Sequence, residues 1–129
     1  MNDPIADLII RIKNASKAGR PSLVMPYSRF KAAIAELLQK EGFIKSFSKR
    51  GKKVAKFLEI ELAYDGATPR VHEVKRVSRL SKRVYRKTKD IHSVRQGYGR
   101  LILSTPKGIL TDKEARKEKI GGEALFEIW

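Results

Sequence analysis

With 129 residues, 41% of them apolar, the chain has material for one or two small lobes and a modest core, which excludes a large catalytic cleft. Twenty-nine Lys and Arg against 14 Asp and Glu leave a formal charge of +15, so the expected partner is a polyanion, nucleic acid first. The absence of cysteine excludes disulfides and thiolate metal sites and fits a reducing, intracellular setting.

Along the chain, Asp3-Pro4 opens a helix with an N-cap side chain and a proline at the first helical position. Ile5, Leu8, Ile9 and Ile12 then repeat on one face, and the helix is expected to run to about Ala18-Gly19. Its outer face carries Arg11, Lys13 and Asn14, either solvated or set against an RNA backbone. Leu23-Val24-Met25 reads as a short strand closed by Pro26. Ser28 caps a second helix with Phe30, Ile34, Leu37 and Leu38 inward and Gly42 as its stop.

Two strands, Phe43 to Phe47 and Val54 to Tyr64, flank the turn Lys49-Arg50-Gly51-Lys52-Lys53, with Val54, Leu58, Ile60, Leu62 and Tyr64 on one face by the two-residue period. Asp65-Gly66-Ala67-Thr68-Pro69 has turn chemistry and no apolar periodicity. The expectation is an α+β chain of two small lobes. Residues 1–66 make a helix-strand-helix-hairpin lobe, and residues 67–129 a mostly β lobe that carries RNA binding.

In the second lobe, Val71 to Val77 and Val84 to Tyr85 read as strands around a basic loop, Ser78-Arg79-Leu80-Ser81-Lys82-Arg83, followed by a helical turn near Asp90 to Val94. Gly97-Tyr98-Gly99 punctuates the chain before a strand, Arg100 to Leu103, that delivers Ser104 and Thr105 to a loop ending at Gly108. Thr111 and Glu114 form a capping box for a helix through about Lys119. Gly121-Gly122 ends that helix and starts a last strand with Ala124, Phe126 and Ile128 on one face.

Charge and small polar groups are separated. Residues 70 to 100 hold 11 Lys or Arg against Glu73 and Asp90, whereas residues 101 to 129 balance five against five. Arg79, Lys82, Arg83, Arg86 and Lys87 therefore stand as phosphate contacts. Tyr85, among five cations, either stacks on an unpaired base or packs into the core. Ser104, Thr105, Lys107 and Gly108 offer hydroxyls and bare backbone to an irregular surface, or only make a turn. Gly121, Gly122 and Glu123 are either a helix stop or a carboxylate aimed at a base amino group.

Chemistry other than binding finds no footing. His72 and His92 are the only histidines, no nucleophile pattern surrounds a serine, and the glycines lack the Lys-Ser/Thr ending of a nucleotide loop. The acids show no metal-ligand spacing, so neither metal, cofactor nor small-molecule substrate is expected. No apolar run reaches the length of a membrane span, and Met1-Asn2-Asp3-Pro4 lacks a signal-peptide pattern, which places the protein in the cytoplasm.

Asp3-Pro4-Ile5-Ala6-Asp7, Arg11-Ile12-Lys13-Asn14-Ala15, Glu41-Gly42-Phe43-Ile44, Arg83-Val84-Tyr85, Gly99 to Lys107, Thr111 to Arg116 and Gly121-Gly122-Glu123 together resemble the bacterial small-ribosomal-subunit protein eight family, in order and over nearly the whole chain. The resemblance implies two α/β lobes and a structural protein that binds the central domain of small-subunit ribosomal RNA directly, helps assemble the platform and sits in the ribosome beside other small-subunit proteins. It implies RNA contacts at Tyr85, Ser104, Thr105, Lys107, Gly108, Gly121, Gly122 and Glu123, and binding of the messenger of its own operon. Pro106 departs from the family's usual serine, removing a hydroxyl and an amide donor. The competing reading is a non-ribosomal basic RNA-binding regulator or protein-interaction module.

Overall fold

In a computed structural model of the protein, residues 3–52 and 55–129 are described, and the chain divides into two compact units, Met1–His72 and Glu73–Trp129. The first unit opens with α1, Pro4–Lys17, capped by the Asp3 carboxylate on the Ala6 amide at 3.2 Å. Strand β1, Ser22–Pro26, leads to α2, Arg29–Lys40, whose Ser28 hydroxyl accepts from the Lys31 amide. Strands β2, Ile44–Lys52, and β3, Ala55–Leu62, complete an antiparallel sheet in the order β1-β3-β2. Leu8, Ile12, Met25, Ile34, Leu38, Ile44, Leu58 and Ile60 are its largest fully buried side chains, as the helical and strand periods require.

Several expectations change here. Phe30 is only half-buried, and the neighbouring Lys31 is buried instead, because its ammonium reaches the Asp7 carboxylate at 2.6 Å. The basic run 49–52 belongs to the strand ladder rather than a turn. Arg50 pairs with Glu59 at 2.8 Å and Lys49 lies 4.4 Å from the centre of the Tyr27 ring, so both charges are accommodated on the extended hairpin. Lys53, expected in the turn, and Val54, expected on the apolar face of the second strand, lie outside the described residues. Tyr64 leaves the β3 ladder: β4, Tyr64–Asp65, and β5, Thr68–Pro69, form their own small hairpin about Gly66 at φ +62°, and the Tyr64 hydroxyl donates to the Arg20 carbonyl.

The second unit is built on a five-stranded antiparallel sheet. Its members are β6, Val74–Arg76; β7, Tyr85–Arg86; β8, Arg100–Thr105; β9, Gly108–Thr111; and β10, Gly122–Ile128, with α3, Asp112–Glu118, between the last two. β10 is central, with β8 on one side and β6 and β7 end to end on the other. Ile91, Val94, Leu101, Leu103, Ala115 and Ala124 form a core beneath one face, joined by Val77, Val84, Ile120 and Trp129.

The strand expected over 71–77 has its regular ladder over Val74–Arg76, with Glu73 also exchanging backbone hydrogen bonds with Trp129 and Val77 donating to the Leu125 carbonyl, and Val84 packs on the core just before β7. The helical turn expected at 90–94 is replaced by a 3-10 turn, Thr88–Asp90, and a positive-φ turn over Arg95–Gly97, because Ile91 and Val94 are extended and turned into the core. Lys119, with φ +56°, ends α3 in the left-handed conformation, two residues before the glycines. Ala124 does not share a face with Phe126. A bulge between them pairs Ala124 with Leu103 but Phe126 with Ile102, so the extra residue, Leu125, moves the alternation by one step.

Candidate nucleic-acid interface

The expected loop after β8 is a tight hairpin. Thr105 pairs with Gly108, leaving only Pro106 and Lys107 in the turn, and β9 continues directly to the capping box. The Thr105 hydroxyl accepts from the Lys107 amide at 3.1 Å and donates to the Gly108 carbonyl at 2.8 Å, so it is spent on closing the turn. Pro106 occupies the first turn position, where its fixed φ suits the bend and no amide donor is called on. Gly108 at φ +110° completes the bend in a conformation that favours glycine. Ser104 stays in the strand, half-buried, and its hydroxyl has no partner among the described residues.

The two glycines work by close approach. A Cβ on Gly121 would collide with the Arg86 carbonyl, and one on Gly122 with the Ser104 carbonyl and, at 2.9 Å, with the Thr105 methyl. Bare backbone at these positions lets the start of β10 fit between β7 and β8. The result is a row across three strands, Tyr85 opposite Glu123 and Glu123 opposite Ser104. Since Ala124 and Leu103 face the core, this row faces the other way. Strand spacing puts the ends of the row about 10 Å apart.

Tyr85 is 70% exposed, which resolves its two readings in favour of the surface. Glu123 is held by Arg83, whose Nη1 donates to both carboxylate oxygens at 3.2 and 3.3 Å, while the Glu123 side chain is only 15% exposed. The carboxylate thus partners the basic loop and makes no hydrogen bond to the Ser104 hydroxyl among the described residues. Arg79 and Lys82 exchange backbone hydrogen bonds at 2.9 and 3.1 Å, closing the loop as a tight turn with both side chains exposed. Lys87 is exposed, Arg86 half-buried with its Nε unpartnered among the described residues, and Lys107 pairs with Glu118 at 3.2 Å on the open surface. Asn14 lies exposed on α1 in the first unit.

Sequence reasoning missed Ser78. It is buried, its hydroxyl accepts from the Val84 amide at 2.8 Å and donates to the Val84 carbonyl at 3.2 Å, and its own amide donates to the Ala124 carbonyl. These bonds tie both ends of the basic loop to β10 immediately before Tyr85. No local signal separates this serine from Ser81, because its role depends on partners six and 46 residues away. Asp112 was missed in the same way: it is buried, accepts from the Leu101 amide at 3.2 Å and pairs with Arg116, fastening α3 to β8. Among the described residues no His, Asp and Glu cluster has the arrangement of a metal site, and no helix is long and apolar enough to cross a membrane.

A family model described as Ribosomal protein S8 matches residues 3–129. The chain belongs to that family. It is 45% identical to the small ribosomal subunit protein uS8 of Mycoplasmopsis agalactiae over 129 residues, covering all of this chain and 98% of the relative. It is 44% identical to the proteins of the same name from Dictyoglomus thermophilum, with 98% of the relative covered, and Thermus aquaticus, with 99% covered. S8-family proteins are structural, non-enzymatic components of the small ribosomal subunit.

Proposed function

We propose that this S8-family chain binds the central domain of small-subunit ribosomal RNA directly and helps assemble the platform of the subunit. In this reading the Tyr85-Glu123-Ser104 row meets an irregular internal-loop helix. The observation that carries it is the conjunction, on one sheet face, of a 70% exposed tyrosine and a serine hydroxyl with no partner among the described residues, beside a closed basic loop. A regular A-form helix hides its base edges in a deep groove, whereas a distorted one offers π faces and sugar hydroxyls to such a surface.

The roles divide by chemistry. Tyr85 stacks on an unpaired base and Ser104 exchanges a hydrogen bond with a base edge or a 2′-hydroxyl. Arg79, Lys82, Arg86 and Lys87 neutralise phosphates, and Asn14 adds a backbone contact from the first unit. Lys107 leaves its exposed ion pair with Glu118 for phosphate at little cost, since such pairs contribute only about 0–1 kcal/mol, whereas Arg83 keeps its bond to the largely buried Glu123 and meets phosphate with its remaining donors. Thr105, Gly108, Gly121 and Gly122 shape the surface, bringing backbone amides and carbonyls within reach. Binding to the messenger of its own operon uses the same row, and neighbouring small-subunit proteins meet other faces.

Nucleotide-resolution footprinting on transcribed central-domain RNA tests this. The expected result is protection concentrated at one irregular helix, lost with Tyr85→Ala and Ser104→Ala. Protection spread evenly over duplex regions, unchanged by those substitutions, would overturn it.

A further inference from the structure

We infer that Tyr98 is a second stacking platform for an unpaired RNA base, distinct from the Tyr85 row. The inference rests on the chain's being an RNA binder. Tyr98 is 86% exposed, the most exposed large side chain of the unit's apolar set, and its hydroxyl makes no hydrogen bond among the described residues. It follows three successive residues of positive φ, Arg95 at +50°, Gln96 at +56° and Gly97 at +94°.

Such a backbone persists only when its surroundings hold it, and here they do. The Gly97 and Gly99 amides both donate to the Val94 carbonyl, and Arg100 Nη1 donates to the carbonyls of Gly97 and Gly99, each at 2.8 Å, bracketing Tyr98 on both sides. Gly99 has no room for a side chain, since a Cβ would stand 2.8 Å from the Ile128 carbonyl and from a Val94 methyl. Arg95 is fixed with its guanidinium 4.1 Å from the centre of the Trp129 ring. The ring of Tyr98 is therefore presented by a rigid, cation-bearing turn, and little ordering is left to be done on binding.

A nucleobase suits this surface better than a protein side chain. The chain neighbours of Tyr98 in the turn, His92, Ser93, Arg95, Gln96 and Gly97, are exposed and carry no large apolar group of the kind that frames a protein hot spot. A flat aromatic face in a field of cations is what stacking on RNA uses. Tyr98 stands before β8, and the strand carries the chain about 14 Å from Arg100 to Ser104, so the two platforms serve different nucleotides.

The test titrates the full chain and its Tyr98→Ala, Tyr98→Phe and Tyr85→Ala variants against a 20-nucleotide oligouridine and against central-domain RNA. It is joined to ultraviolet cross-linking of the assembled small subunit with mass-spectrometric mapping. The expected result is about tenfold weaker oligouridine binding for Tyr98→Ala, near-native binding for Tyr98→Phe, and a nucleotide cross-linked at Tyr98. Unchanged oligouridine binding by Tyr98→Ala, with Tyr85→Ala still impaired on central-domain RNA, overturns this inference alone. Unchanged binding by both variants overturns the RNA reading as well. A cross-link from Tyr98 to another protein and none to RNA would also overturn the inference, in favour of a protein contact.

Discussion

Gly122 is the residue on which the proposed reading row depends most narrowly. Its replacement by alanine sets a Cβ against the backbone carbonyl of Ser104, an atom that cannot swing aside. Gly122→Ala is expected to lose about 1–3 kcal/mol in urea unfolding and to weaken RNA binding by spreading β10 from β8. Asp7 gives a residue-scale test in the first unit. Its hydrogen bonds with Arg11 and then Lys31 hold its carboxyl below the ordinary 3.8, so the folded state binds that proton less readily than the unfolded chain. The resulting stability is present above about pH 4 and lost as pH falls through the lower, folded value. Asp7→Asn should cost about 1–2 kcal/mol at pH 7, with the gap to wild type shrinking below pH 4 in matched urea titrations. Legibility at this scale was uneven. The basic neighbours of Tyr85 marked it, yet its exposure needed the register of β7 on β10. Gly121 and Gly122 were visible as glycines, but the carbonyls they make room for lie on other strands.

The elements most readable in the chain were those with local chemistry. The Asp3 and Ser28 caps and the Thr111-Glu114 box all stand where short-range hydrogen bonding puts them. Thr111→Ala should therefore cost about 1 kcal/mol, read by thermal unfolding. Strand β9 was hidden because four residues between a hairpin turn and a capped helix show no complete period, and the bulge at Leu125 inverts the alternation that sequence spacing assumes. The basic loop is fastened by Ser78 rather than by its own turn residues. Ser78→Ala leaves the Val84 amide without its acceptor, so faster amide hydrogen exchange over residues 79–84 and weaker discrimination between irregular and regular RNA are expected. Ser78→Thr, which keeps the hydroxyl, should retain more of that discrimination than alanine does. Pro106→Ser restores a donor to the turn while removing a fixed φ, and is expected to lose about 0.5–1 kcal/mol of stability.

Across the whole molecule, charge and shape act on different terms of binding. A surplus of nine positive charges between residues 70 and 100 attracts any polyanion, and that attraction weakens with salt whatever the sequence of the RNA. In the proposed reading, shape discrimination comes from neutral groups, Tyr85, Ser104 and the bare backbone beside them, and depends little on salt. Lys82→Ala should accordingly reduce affinity for every RNA alike and flatten the salt dependence, whereas Tyr85→Ala should act mainly on the preferred RNA. The central claim is that this chain reads an irregular ribosomal RNA site rather than merely a negative charge. It is tested most directly by titrating the full chain, at near-physiological salt, against central-domain RNA and a perfect duplex of equal length. The account predicts a strong preference for the central-domain RNA that survives added salt and is lost in Tyr85→Ala, and equal, steeply salt-dependent binding to both would contradict it.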